Sequence, residues 1–129
     1  MSDFPLITTP YPSLHPALDI SSLLVNGWTE RFPQNVSVGV TPNVLFYNFR
    51  LVADDATNWI FMEGLPPELR PPQNLHVTAL TPVGATLALV RASDGAFMIP
   101  SLGRNALDPP WDRTGELTVT GAVPRGAGT

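Results

Sequence analysis

The sequence predicts an all-β protein, an antiparallel β-sandwich or jelly-roll-like domain over residues 26–129 carried behind an extended proline-rich N-terminal arm, residues 1–25. Three observations predict it. Short β-branched and aromatic runs alternate apolar and polar positions, the period of a half-buried strand. The 15 prolines among 129 residues fall between those runs, as turn and edge markers. The first 25 residues are apolar yet broken by Pro5, Pro10, Pro12 and Pro16, which a continuous helix or central strand does not tolerate.

Taken in order, the arm carries Phe4, Leu6, Ile7, Tyr11, Leu14 and Leu18. An extended segment cannot bury such side chains against itself, so these six are expected to dock on a larger assembly. Asp19 is placed to cap a short helical turn that Asn26-Gly27 ends. Trp28 is assigned to the core or to a subunit contact, as is Trp59. Strands follow at Val36–Val40 and Val44–Val52, split by Thr41-Pro42-Asn43. In the second, Leu45, Tyr47, Phe49 and Leu51 take one face, and Phe46, Asn48 and Arg50 the other. Residues 53–58 read as a hairpin loop, with residues 59–64 as the returning strand.

Next comes "GLPPELRPP". Proline cannot donate to a ladder, so this stretch predicts a rigid corner, with Pro66 and Pro71 framing Arg70. The guanidinium there can bond loop carbonyls or pair with Glu68 or Asp94. Strands at residues 75–80, 85–92, 96–99 and 116–123 complete the count. Asp94-Gly95 predicts a type I′ hairpin. Residues 100–115 form the one long irregular segment, expected to lie over an end of the sandwich. It holds Trp111 beside Asp108, Asp112 and Arg113, an aromatic ring with charged neighbours suited to stacking on a host glycan or anchoring a protein partner, and equally to plugging the end of the sandwich.

Composition narrows the function. Only 14% of residues are charged, against about 25% for an average domain, which suggests a surface partly covered by other subunits. All seven basic residues are arginine, they do not cluster, and the net charge is −4; nucleic acid, which requires a basic stripe, is not an expected partner. No cysteine is present, which excludes disulfides and thiolate chemistry. No membrane insertion, signal peptide, metal or cofactor is expected. His15 and His76 lack ligand spacing. Asp54-Asp55 with Glu63 has the residue types of a glycosidase pair, but a hairpin tip accounts for the aspartates, and no catalytic residue is assigned.

Three motifs in order, Gly27-Trp28-Thr29, then Leu65-Pro66-Pro67-Glu68-Leu69-Arg70-Pro71, then Asp94-Gly95, resemble those of small bacteriophage tail domains. In that family a Gly-Trp-Thr segment opens the domain, a Leu-Pro-x-Gly-x-Arg-Pro corner joins the sheets, and an Asp-Gly hairpin follows. This chain has Glu68 in place of the glycine and Leu69 in place of an aromatic. The resemblance spans residues 26–123. It implies a homotrimeric β-domain similar to the heads of phage receptor-binding proteins, assembled with other virion proteins. The expected function is non-enzymatic: a minor tail protein, docked by its arm and facing the host surface. A capsid decoration protein cementing the phage head is the alternative.

Overall fold

The computed structural model describes residues 4–7, 17–107 and 111–125, with the side chain of Arg104 excepted. Tyr11, Leu14 and Asp108 lie outside the described residues. Among the described residues there are nine strands: β1 (Ala17–Asp19), β2 (Thr29–Glu30), β3 (Val36–Val40), β4 (Val44–Val52), β5 (Ile60–Met62), β6 (Leu75–Thr81), β7 (Gly84–Val90), β8 (Phe97–Met98) and β9 (Glu116–Pro124). One short helix, α1 (Ser101–Asn105), interrupts the segment read as irregular, and Thr86 Oγ1 donates to its Gly103 carbonyl at 2.7 Å.

The strands form one antiparallel sheet in the order β1-β3-β4-β9-β6-β7-β8-β5, with β2 added to β4, strongly curled into a half-barrel. Curling brings β4 and β8, which are not neighbours in the sheet, face to face. The Phe97 ring lies 4.9 Å from Tyr47 and 5.0 Å from Phe49, both edge-on, a preferred arrangement of aromatic pairs. Alternation along β4 is as the sequence predicts: Leu45, Tyr47, Phe49 and Leu51 are buried, and Phe46, Asn48 and Arg50 are exposed.

Two expected hairpins are corrected. Residues 53–59 do not return β4 to β5: β5 pairs with β8, because one edge of β4 is taken by β3 and β2 and the other by β9. The β7–β8 connection is wider than a two-residue turn. Arg91 N–H donates to the Ala96 carbonyl, and Gly95 N–H donates to the Arg91 carbonyl at 3.0 Å. Gly95 alone has positive φ, +68°. Asp94 instead accepts from Ala96 N–H and pairs with Arg91 at 2.7 Å. Desolvation nudges its carboxyl upward, but those two partners outweigh it and hold Asp94 below its ordinary range.

The N-terminal segment is also corrected. Residues 17–25, expected within the arm, belong to the domain. β1 extends the sheet beyond β3, and Ser21 N–H finds Asp19 Oδ1 at 3.0 Å as the chain enters a single 3-10 turn. The chain then reaches the opposite end of the sheet, where Leu24 bridges Met62 and Val25 N–H donates to the Phe61 carbonyl. One segment therefore touches both edges of the half-barrel, and Ile20 between them is fully buried. Residues 4–7 follow outside β1, with Ile7 N–H on the Ala17 carbonyl and Asp19 N–H on the Pro5 carbonyl. Phe4 packs on the core while Leu6 stays exposed.

Tyr47 gives the core a pH dependence. Its hydroxyl donates to the Leu69 carbonyl at 2.7 Å, and burial pushes the phenol above its ordinary value. Above pH of about 10 the unfolded phenol ionises while the folded one stays protonated. The unfolded state then binds fewer protons, so stability falls by about 1.4 kcal/mol per pH unit. Below that pH the full stability is present. Tyr47→Phe should remove this alkaline slope and cost about 1 kcal/mol at neutral pH, read from urea midpoints between pH 7 and about 11.

Candidate functional site

Three features gather the residues singled out in the sequence. The first is the tryptophan loop. Trp111 is 3% exposed, with its ring 6.0 Å from Trp28 and 5.6 Å from Trp59. Its indole N–H donates to the Thr114 carbonyl at 2.9 Å, and Trp28's donates to the Asn58 carbonyl at 2.8 Å. Arg113, at φ +64°, lays its guanidinium 5.2 Å over the Trp59 ring, and Asp112 accepts from Thr114 Oγ1. The loop thus folds its tryptophan inward, closing one end of the half-barrel, with no ring face presented for stacking. Trp111→Ala should cost about 3–5 kcal/mol, measured by urea unfolding. Any binding defect in that variant reports the fold first.

The second is the corner. Leu65 is buried ahead of a 3-10 turn (Pro67–Leu69), Leu69 is buried as its last residue, and Pro71 is buried beyond it. Pro66 enters this turn in an extended conformation. Arg70 Nε donates to the Leu65 carbonyl, and Nη1 donates to the Ser93 carbonyl at 3.2 Å. Neither Glu68 nor Asp94 is its partner. Leu65 N–H reaches the Gly95 carbonyl, and a Cβ on Gly95 would lie 2.4 Å from the Leu65 carbonyl oxygen. Corner and Asp-Gly hairpin, read separately in the sequence, are therefore one interlocked unit. A second interlock joins Gly27, at φ +83°, to the 53–58 loop, where a Cβ would meet the Asp55 carbonyl oxygen at 2.1 Å.

The third is the outer face of the sheet. Thr118 and Thr120 of β9 stand opposite Arg50 and Asn48 of β4, and Ser37 of β3 stands opposite Asn48. With Gln34 and Asn35 they line a depression of about 370 Å³. Sequence reasoning placed Asn48 and Arg50 on the outer face but assigned them no role; alternation was the only signal. Across β9 the character changes: Leu80 and Leu87 are 48% and 47% exposed, with Val83 at the tip between them. His76 is exposed on the same strand as Leu80. No group of three or more His, Cys, Asp or Glu positioned to hold a metal occurs among the described residues.

No protein-family model matches the chain, and no curated protein is a significant match to it.

Proposed function

We propose that this chain is a non-enzymatic structural protein of a bacteriophage virion, a minor tail protein that displays a homotrimeric β-domain toward the host. The observation that carries the assembly reading is the β6–β7 hairpin. An antiparallel sheet with one solvated face turns polar residues outward. β4 and β9 largely follow that rule with Asn48, Arg50, Thr118 and Thr120, but β6–β7 turns out Leu80, Val83 and Leu87. A chain with so few charges gains by covering those side chains with copies of itself. The phage assignment rests on the ordered Gly-Trp-Thr, corner and Asp-Gly motifs. The corner and the Asp-Gly hairpin interlock, which gives a physical reason for those two motifs to occur together.

In this reading the half-barrel does the work of a sandwich, its β4 and β8 regions facing each other across the aromatic core. Docking falls to the chain ahead of β1, of which Leu6, 64% exposed beside its Leu18 bridge, is the described apolar contact. Light scattering should give about three times the 13.9 kDa chain mass at micromolar concentration, and Leu80→Asp with Leu87→Asp should return the monomer. A stable monomer of the parent chain would overturn the trimer. Counting copies per purified particle tests the location: hundreds would place the protein on the capsid as a decoration protein instead.

A further inference from the structure

We propose that the outer-face depression between β3, β4 and β9 is a binding site for an acidic saccharide, a uronate-bearing oligosaccharide whose carboxylate is taken by Arg50 and whose hydroxyls are taken by Asn35, Asn48, Thr118 and Thr120. The proposal rests on the host-facing reading given above, and it adds the site and the ligand class. Two arginines meet here, the Arg31 backbone N–H donating to the Arg50 carbonyl at 2.8 Å, and among the described residues one carboxylate answers them. Arg31 is paired with Glu116, leaving the Arg50 side chain with no hydrogen bond or ion pair among the described residues. A planar guanidinium without a partner is matched to a carboxylate, which it can hold in bidentate fashion.

The groups around it are similarly unspent. The Asn35 side chain makes no hydrogen bond within the described residues; its Oδ1 is buried, so its side-chain amide N–H is the group left to donate to a ligand hydroxyl. The side chains of Asn48, Thr118 and Thr120 make no hydrogen bonds within the described residues. Ser37 Oγ is engaged only at 3.4 Å, with the Asn48 carbonyl. Amides and hydroxyls around one unpaired cation form a donor and acceptor set for a polyol carrying one negative charge. Size agrees. Strands spaced about 4.8 Å apart and two outward rows about 7 Å apart give a footprint of one or two pyranose rings, and a volume near 370 Å³ lies at the small end of the ~300–1,000 Å³ ligand range. The site runs from β9 across β4 to β3. Its β9 end adjoins the leucine patch, since Thr118 is the register partner of Leu80, while Asn48, Arg50 and Ser37 lie on the far side of β9 from those leucines. With a net charge of −4 the attraction is local to Arg50 and weakens with salt.

The test is an amide-shift NMR titration of the full chain with trigalacturonate, maltotriose and inorganic phosphate in parallel. Trigalacturonate should shift Asn35, Ser37, Asn48, Arg50, Thr118 and Thr120 and bind at least about tenfold more tightly than maltotriose, the equivalent of about 1.4 kcal/mol. Arg50→Gln should bring it down to the maltotriose level, and Thr120→Val should weaken both sugars. Both residues are exposed, so the variants keep the spectrum of the folded parent. The site is overturned if trigalacturonate leaves these amides unmoved, if maltotriose binds equally well, if phosphate alone reproduces the shifts, or if Arg50→Gln changes nothing. It is also overturned if Asn35, Ser37 and Arg50 respond to protein concentration, which would make the face a contact between copies; Thr118, beside Leu80, responds in any trimer built on that leucine. Copy number and particle location bear on the virion reading and leave this result untouched, so the two fail separately.

Discussion

Residues 26–129 alone give no cooperative unfolding transition, whereas residues 17–129 unfold in a single transition close to that of the full chain. This is the expected outcome of two truncations, followed by circular dichroism in urea. The longer deletion removes β1 from the edge of β3 and the 23–25 segment from the edge of β5. It also removes Ile20, fully buried between them, and the packing of Leu18, Leu23 and Leu24 on the core. Truncating a buried isoleucine to alanine costs about 2–5 kcal/mol, and a domain of this size is stable by about 5–15 kcal/mol in total. Losing four such contacts and both edge pairings at once exceeds that margin. Deleting residues 1–16 takes away Phe4 and two strand-like hydrogen bonds among the described residues, a loss the domain absorbs. A fragment 26–129 that unfolds cooperatively near the parental midpoint would show that the N-terminal segment is separable after all.

The second large effect is at the hairpin tip. Gly95→Ala should destabilise by about 3 kcal/mol or more, from two sources. A left-handed φ costs an alanine about 1–2 kcal/mol, and the new methyl would lie 2.4 Å from the Leu65 carbonyl oxygen and 2.7 Å from Leu65 Cβ. Backbone of a proline-framed corner cannot yield as a flexible side chain does. Gly64→Ala supplies the comparison: φ is +82° there as well, but nothing lies within 4 Å of the new methyl, so only the backbone strain of about 1–2 kcal/mol remains. The difference between the two urea midpoints isolates the interlock. Arg70→Ala should fall between them, at about 1.5–3 kcal/mol for two lost charged hydrogen bonds. It should be non-additive with Gly95→Ala because both loosen the same joint. Equal effects at Gly64 and Gly95 would mean that corner and hairpin are not coupled.

Much of the architecture is legible in the residues. β3, β4, β6, β7, β8 and β9 lie where alternation and turn residues put them, because a side-chain period of two is a local property of the chain. The inward row of β4 needs no partner to be recognised. The corner is legible for a similar reason: paired prolines dictate backbone geometry whatever surrounds them. The tryptophan loop shows the limit. An aromatic ring among charged residues has the composition of a recognition surface, and nothing local says that Trp28 and Trp59 stand ready to receive it inside the fold. The outer-face depression is invisible for another reason, since Asn35, Arg50 and Thr118 are separated in sequence and meet only through β3–β4 and β4–β9 pairing.

The sequence by itself therefore determined the all-β class, the strand positions, the buried face of β4 and the stiffness of the corner, since each follows from interactions within a few residues. Tertiary structure decided strand order, the curl into a half-barrel, the capture of residues 17–25 at both edges and the inward turn of Trp111. Those outcomes depend on which edges remain free once β4 is paired on both sides, and on which ring fills the space that the curl leaves open. Both are matters of contact between distant segments that no local pattern encodes.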